Sequence, residues 1–352
     1  MKPVVPRPLN AALVAFASVV VAACGGGLPG APPPQDGPKD ATGFSVVGFT
    51  DFPGDDERSH GLSGIAWDEG ENVLWAVADK APRLVRLVPS PGFAQWAIRD
   101  GITVSWHGRW DGEGLALAPT GGFYVADEAS SQILGLDRSG AVERTVELPA
   151  HFAEARRNRS LESLSLSADG RFLFTMNEDA LPADGPPADT DRGAVLRLLR
   201  VDLASDRRTE RAYRTDPLFA AGRGNLGVSD IAALSETRLV VMERAWVKGV
   251  GNSVRLFTVD LADGPDVLGE PSLDGTVHAL PKRLLLDLAA LPDALFPQRP
   301  EEPQPARALA NYEGLAVGPA FDDGTRLLFL QSDDNARSTQ VSRLLVLRGR
   351  LP

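Results

Sequence analysis

Short apolar runs separated by Gly, Asp and Pro dominate the chain from about Phe44 onwards. Apolar runs of about four to eight residues, bounded by turn-forming residues, are typical of β-strands. Helical periodicity is scarce, and the best short candidate, Leu284–Leu291, fits a strand equally well. The pattern therefore predicts an all-β fold.

One phrase recurs five times along this region, and each copy starts a new unit of the pattern. The copies read GLSGIAWD from Gly61, DGEGLALAP from Asp111, SLESLSLSADG from Ser160, GVSDIAALS from Gly227 and NYEGLAVGP from Asn311. A second apolar run follows each copy and ends at polar, mostly acidic residues: LWAVAD, FYVADE, FLFTMNED, LVVMER and LLFLQSDDN. Self-similarity of this kind indicates a repeat architecture.

Two more short runs usually follow within each unit, so the five units hold nineteen candidate strands. The run FSVVGF from Phe44 has no partner in its own region and would be the twentieth strand. Five four-stranded antiparallel sheets arranged radially form a β-propeller, and the N-terminal strand would complete the last blade. Closure of the ring removes the open edge that a sheet must otherwise protect.

The number of blades has an alternative, because the interval from Gly227 to Asn311 is long enough to hide a sixth blade. That interval contains two clear strands after Glu243, and its Pro292–Pro305 stretch suits a loop. We therefore favour five blades over six. A two-sheet sandwich is a further alternative, which the fixed repeat disfavours.

The repeat predicts that acidic side chains meet at one mouth of the central channel. The innermost strand of a blade lines the channel, and the second strand runs antiparallel to it. The start of the first strand and the end of the second therefore lie at the same mouth. The predicted metal ligands at these positions are Asp79, Glu113, Glu128, Glu162, Glu178, Glu243, Glu313, Asp333 and Asp334. A cation would relieve the repulsion among these carboxylates, whereas for any single acid a turn-forming role is the alternative.

The composition favours Ca²⁺ as this cation. Calcium takes about six to eight oxygen ligands, whereas zinc and iron sites usually draw on His or Cys. The chain has four His and a single Cys, which also excludes a disulfide framework. Its net charge of −11 argues against a nucleic-acid partner, because a phosphate backbone needs a basic face.

The N-terminus resembles a bacterial lipoprotein signal. Lys2 and Arg7 precede the apolar stretch Leu9–Ala22, and the sequence VAAC follows with Cys24 as its last residue. The resemblance implies that Cys24 is lipidated and that the protein is anchored in a membrane of the cell envelope. Gly25, where Asp would mark retention in the inner membrane, favours the outer membrane. An ordinary secretory signal with a chance Cys is the alternative.

These features divide the chain into three parts. Residues 1–23 form the predicted signal peptide, residues 24–43 a Gly/Pro-rich tether, and residues 44–352 one propeller domain. We expect an exported monomer that contacts the membrane through its lipid anchor.

The repeated phrases resemble the esterase-like phytase domain of exported bacterial proteins, which is related to calcium-dependent propeller phytases. The matching blocks are Gly61 to Ala66 with Ala78-Asp79, Asn158 to Glu162 with Asn177-Glu178 and Leu181, Gly227 to Ala232 with Met242-Glu243-Arg244, and Asn311 to Leu315 with Ser332 to Asn335. The resemblance implies a propeller that hydrolyses phosphoesters or esters. The sequence departs from the family pattern at two places. It has Ser160-Leu161-Glu162 where the family tends to have Gly-Phe-Glu, and Asp79-Lys80 where Asp-Arg is usual, and neither change removes an acid.

We therefore expect a calcium-dependent hydrolase in which Glu113, Glu162 and Glu313 are the catalytic residues. A small phosphorylated or ester substrate would also meet basic side chains at the same mouth. The candidates for substrate binding are Lys80, Arg83, Arg244 and Arg337. Salt bridges to surplus acids are the alternative role for these four residues. The alternative function is a non-catalytic binding or scaffold propeller of the cell envelope, because one fold hosts both.

Overall fold

The computed structural model describes residues 43–273, 277–298 and 303–352. These residues form twenty β-strands and six short 3₁₀ helices. The predicted signal peptide, Cys24 and almost all of the tether lie outside the described residues. Within the described part of the chain, no helix has the length and apolar character needed to cross a membrane.

The strands form five four-stranded antiparallel sheets, which we call blades 1 to 5. Blade 1 holds β2 (Leu62–Asp68), β3 (Val73–Ala78), β4 (Arg83–Pro89) and β5 (Trp96–Thr103). Blade 2 holds β6 (Gly112–Leu117), β7 (Phe123–Asp127), β8 (Gln132–Leu136) and β9 (Val142–Val146). Blade 3 holds β10 (Leu161–Leu166), β11 (Phe172–Asn177), β12 (Val195–Asp202) and β13 (Arg207–Arg214).

Blade 4 holds β14 (Gly224–Ala233), β15 (Arg238–Val247), β16 (Gly251–Asp260) and β17 (Lys282–Asp287). Blade 5 holds β18 (Tyr312–Ala320), β19 (Arg326–Ser332), β20 (Arg343–Gly349) and β1 (Ser45–Asp51). The 3₁₀ helices lie in connections, at Glu57–Ser59, Ala150–Glu154, Pro182–Asp184, Leu261–Asp263, Leu288–Ala290 and Asp293–Leu295. The predicted β-propeller with five blades is confirmed, and the interval after Gly227 holds one blade, not two.

The N-terminal strand closes the ring, as the sequence predicts. β1 pairs with β20 from Ser45 opposite Arg348 to Asp51 opposite Arg343. The Arg343 guanidinium, fully buried, donates two hydrogen bonds to the Asp51 carboxylate at 2.6 and 2.9 Å. Phe44, just before the strand, is 1% exposed. Closure therefore rests on buried contacts as well as on the backbone ladder.

Apolar cores lie between adjacent blades, because both faces of each sheet are covered by its neighbours. Between blades 5 and 1, the rings of Trp67 and Trp96 pack on Phe329 at centroid distances of 5.4 and 5.3 Å. Phe93 packs on Trp67 in an edge arrangement at 5.9 Å. Aromatic pairs in these geometries add to the free energy gained by burial. Blades 5 and 1 are therefore held together by apolar contacts between their faces.

Every innermost strand carries a β-bulge at the same point of the repeated phrase, which is close to the start of the strand in all blades but the fourth. The residues left out of the pairing at these bulges include Ser63, Glu113, Glu162, Ser229 and Glu313. A bulge breaks the alternation of side chains along a strand and re-aims the extra residue. The recurring phrase therefore encodes a position at which one side chain per blade is turned to the channel mouth.

The inner strands approach one another closely just after the bulges, and glycine makes this possible. A Cβ atom on Gly64 would lie 2.4 Å from the carbonyl oxygen of Glu113, and one on Gly314 would lie 2.4 Å from that of Ser63. Contacts at that distance do not occur, so a larger residue would push the inner strands apart.

Blade 4 has Asp230 at this position. Its carboxylate accepts hydrogen bonds from the backbone N–H of Leu164 at 3.3 Å, Leu315 at 2.7 Å and Ile231 at 2.8 Å. These donors belong to the inner strands of blades 3, 5 and 4, so Asp230 lies across the channel.

The two faces of the propeller follow from the register of blade 5. β18 begins at Tyr312, beside Glu313, and its last residue, Ala320, pairs with Arg326 at the start of β19. Arg326 pairs in turn with Gly349, and Ser45 pairs with the neighbouring Arg348. The described chain therefore enters the propeller on the face opposite Glu313.

Candidate functional site

A cavity of about 370 Å³ opens at the channel mouth where the inner strands begin. Its acidic lining residues are Asp79, Glu113, Glu128, Glu162, Glu178, Glu313 and Asp333. Its basic lining residues are Lys80, Arg159, Arg244 and Arg337. Asn, Gln and Trp side chains complete the wall at Asn158, Asn225, Trp246, Asn311, Asn335 and Gln340. Predicted acids from all blades but the fourth, and basic residues, thus share one cavity.

Three of the bulge residues, Glu113, Glu162 and Glu313, line this cavity. Glu113, Glu162 and Glu313 are 7%, 8% and 9% exposed. The Ser63 hydroxyl donates to Glu113 Oε2 at 2.8 Å, and Asn311 Nδ2 donates to Glu313 Oε1 at 2.8 Å. These neighbours orient two of the three carboxylates.

Asp79, Asp111 and Glu113 form a tight group on the side of blades 1 and 2, which we call the acidic triad. One carboxylate oxygen from each residue lies within 4.8 Å of the others, and all three residues are buried. The Lys80 ammonium lies 2.9 Å from Asp79 Oδ2 and also donates to Asp111 Oδ1. The triad is thus neutralised in part by one flexible side chain.

Glu128 and Glu178 lie on the side of blades 2 and 3. Glu128 Oε1 accepts from the backbone N–H of Ser160 at 2.9 Å, and Glu178 Oε1 accepts from Arg159 Nη1 at 2.5 Å. Glu178 is 2% exposed, and its Oε2 is buried with no hydrogen-bond partner among the described residues. A buried carboxylate oxygen without a donor is costly unless a ligand or ion satisfies it.

Arg244 crosses the base of the cavity. Its Nη1 donates to Asn311 Oδ1 at 2.7 Å, and its Nη2 lies 3.4 Å from Glu313 Oε1 and 3.6 Å from Glu178 Oε1. The guanidinium therefore sits between carboxylates of blades 5 and 3 and lowers the repulsion between them.

The buried carboxylates hold protons more tightly than free ones. Burial, followed by the charge of Asp333, raises the pKa of Glu313 to about 8. Burial, followed by the charge of Asp79, raises the pKa of Asp333 to about 7. Burial and neighbouring carboxylates raise the pKa of Glu113 and Glu162 well above the ordinary glutamate value. Desolvation and like charge both disfavour the ionised form, which a bound cation would reverse.

The loop after β19 carries Asp333 and Arg337 to the cavity. Asp334 Oδ1 accepts from the backbone N–H of Gly61 at 3.3 Å and of Ala336 at 3.0 Å, and Oδ2 lies 2.6 Å from His60 Nδ1. Asn335 and Ala336 both have positive φ, of 50° and 51°, in a turn closed by the bond from Arg337 N to Asp334 O at 2.8 Å. Asp334 therefore fixes this turn against blade 1 and does not line the cavity.

Two more predicted site residues lie away from the cavity. Glu243 accepts from the Tyr213 hydroxyl at 2.6 Å and from Lys282 at 2.5 Å, between blades. β15 continues to Val247, so Glu243 lies inside the strand, and its neighbour Arg244 points to the cavity on the other face. Arg83 donates to the backbone oxygen of Glu57 at 2.5 Å and lines a small adjoining cavity instead.

Asp111 and Arg159 belong to the site, although the sequence analysis did not select them. Asp111 is the first residue of its phrase, and Arg159 directly precedes another copy. Both therefore stand just before an inner strand, at the same mouth as the predicted acids. Asp111 lies two residues before the bulge residue Glu113, a position that the sequence prediction did not include.

The triad suits a hard divalent cation. It supplies carboxylate oxygens only, and neither His nor Cys lines the cavity in the described part of the chain. Oxygen donors of this kind fit Ca²⁺ better than Zn²⁺ or Fe²⁺. The unpartnered Glu178 oxygen in the same cavity is a second sign that a positively charged ligand belongs there.

Comparisons with known proteins agree with the architecture. Residues 57–336 match the family model Phytase-like, described as esterase-like activity of phytase. No curated protein gives a significant match to the sequence.

Three solved structures show a likeness of the fold alone. Glutaminyl cyclase from Myxococcus xanthus aligns with a TM-score of 0.45 and 13% identity over 88% of this chain and 97% of that chain. A gluconolactonase from Xanthomonas campestris aligns with a TM-score of 0.41 and 16% identity over 83% and 86%. Kuenenia stuttgartiensis hydrazine synthase aligns with a TM-score of 0.37 and 12% identity over 78% of this chain and 57% of that chain, so this chain spans little more than half of it.

Proposed function

The chain belongs to the Phytase-like family, and on that premise we propose that it is a calcium-dependent hydrolase of phosphoesters or carboxylic esters. The observation that carries the proposal is the cavity at the acidic mouth, where buried carboxylates and basic side chains face one another. A metal-dependent hydrolase of an anionic or polar ester needs both a cation site and groups that bind the substrate oxygens.

Asp79, Asp111 and Glu113 would hold the calcium ion. Bound there, Ca²⁺ would supply charge that polarises a phosphoryl or ester oxygen and favours ionisation of water. Calcium suits this role because it tolerates irregular oxygen coordination, whereas Mg²⁺ demands near-octahedral geometry.

The chain's own residues would bind the substrate and move a proton. Arg337 is exposed on the cavity rim and would contact an anionic group there, and Arg159 also lines the cavity. Burial raises the pKa of Glu313 to about 8 without calcium, and a bound cation would lower that pKa, so that Glu313 would serve as the proton acceptor. Asn311 and Arg244 hold its carboxylate in place.

The test is turnover of 4-nitrophenyl phosphate and 4-nitrophenyl butyrate by the purified protein, in calcium and in EDTA. We expect calcium-dependent hydrolysis of at least one substrate, with Mg²⁺ much less effective. Glu313→Gln should lower the rate by roughly a hundredfold, as expected for the group that moves the proton. Glu236→Gln, the same change at an exposed position, is the matched control. Calcium binding without turnover of either substrate would refute the hydrolase and leave a binding propeller.

We further propose that Cys24 is lipidated and that the protein is anchored to the cell envelope. The sequence VAAC, which ends at Cys24 and follows an apolar stretch, supports the anchor. Cys24→Ser should move the protein from the detergent phase to the aqueous phase. Equal partitioning of both forms would contradict the anchor.

A further inference from the structure

Lys80 stands out among the basic residues of the cavity because its charged group lies on the acidic triad itself. Its Nζ is 2.9 Å from Asp79 Oδ2 and also contacts Asp111 Oδ1. The two aspartates are buried, whereas the Lys80 side chain is 70% exposed. The Lys80 ammonium therefore contacts the same oxygens of Asp79 and Asp111 that a bound cation would use.

Two positive groups cannot share these oxygens at low cost. An ammonium and a calcium ion would repel each other strongly at a separation of a few ångströms. Lys80 can leave without a desolvation penalty, because most of its side chain is already in water. A flexible four-carbon stem gives it room to reorient, and a small cavity that it shares with Arg83 and Asn335 adjoins it.

We propose that Lys80 is a built-in counter-cation of the triad, which neutralises Asp79 and Asp111 until calcium displaces it and which thereby lowers the calcium affinity. The inference rests on the proposed calcium role of the triad. Displacement also frees one positive charge at the edge of the substrate cavity. Cation binding and the availability of an anion-binding group are then coupled in one side chain.

The experiment is a calorimetric titration of the purified full chain with CaCl₂ at one pH and ionic strength. Lys80→Met removes the competing charge, and we expect calcium to bind about tenfold more tightly than to the unaltered protein. Lys80→Arg keeps a competing cation, so its dissociation constant should stay within a few-fold of the unaltered value. Lys248→Met makes the same change on an exposed lysine outside the cavity lining and should have no effect.

A second measurement uses the unaltered protein and so remains decisive if a variant fails to fold. Limited acetylation followed by mass spectrometry reports how free each lysine amine is. Calcium should increase the labelling of Lys80 several-fold and leave that of Lys248 unchanged. Labelling of Lys80 that does not respond to saturating calcium would overturn the inference.

The outcomes separate this inference from the proposed function. If the unaltered protein and Lys80→Met bind calcium with equal affinity, Lys80 is not a competitor, and the calcium site itself stands. If neither protein binds calcium, the displacement and the proposed calcium role both fail. If both proteins bind calcium and Lys80→Met binds it more tightly, the displacement of Lys80 and the proposed calcium site are both supported.

Discussion

Raising the pH from 5 to 7 without calcium should destabilise the protein, because the acidic cavity holds protons that the unfolded chain releases. Glu313 and Asp333 have pKa values of about 8 and about 7 in the folded protein, against ordinary values of 4.5 and 3.8. Between pH 5 and 7 the folded state therefore binds more protons than the unfolded state. The free energy of unfolding falls with pH under that condition.

The magnitude follows from the number of extra protons. One proton retained by the folded state changes the free energy of unfolding by about 1.4 kcal/mol per pH unit. Glu313 and Asp333 repel each other, so we count one retained proton for the pair, which gives about 3 kcal/mol over the two pH units. For a domain of this size that corresponds to a decrease in Tm of about 6 °C.

The assay is differential scanning calorimetry at pH 5, 6 and 7, in EDTA and in calcium. Glu313→Gln cannot lose a proton, so its Tm should fall less steeply with pH than that of the unaltered protein. Removing the Glu313 charge also lowers the pKa of Glu113 and Glu162, so the difference between the slopes measures Glu313 together with its coupling to these carboxylates. Calcium should flatten the slope of the unaltered protein, because it favours the ionised carboxylates. Parallel slopes for the two proteins in EDTA would refute the reasoning.

Three further outcomes are expected. Deleting residues 44–49 removes the buried Phe44 and five of the seven residues of β1, which should lower Tm by at least about 8 °C in calorimetry, and an unchanged Tm would show that closure is dispensable. Gly64→Ala should cost about 1–3 kcal/mol in denaturant unfolding, whereas Gly54→Ala, which has open space around it, should cost little. Saturating calcium, at about a hundredfold excess over Kd, should add about 2.7 kcal/mol and raise Tm by about 5 °C.

Blade number and ring closure could be predicted because they follow from patterns along the chain. Each copy of the phrase marks an inner strand, and the unpaired run from Phe44 had only one place to go, the open edge of the last blade. Leu284–Leu291 shows the limit of such patterns. It begins within β17 and continues into the 3₁₀ helix Leu288–Ala290, which periodicity alone did not separate.

The membership of the cavity was less predictable, because the acid near the end of each second strand does not always occupy the same register position. In blade 3, Leu161 pairs with Asn177, and the next residue, Glu178, reaches the cavity. In blade 4, Val228 pairs with Glu243, so Arg244 takes the position that Glu178 has in blade 3. Glu243 is thus one position too early, and its side chain faces the other side of the sheet.

The repeated sequence phrase has a physical role in both the fold and the site. A bulge turns one side chain per blade to the mouth, and the next residue must be small because the inner strands nearly touch there. Gly64, Gly114 and Gly314 meet this requirement, but Asp230 breaks it and lies across the channel, bonded to three strands. A substrate of the proposed hydrolase would therefore meet the bulge carboxylates at the acidic mouth, beside the exposed Arg337.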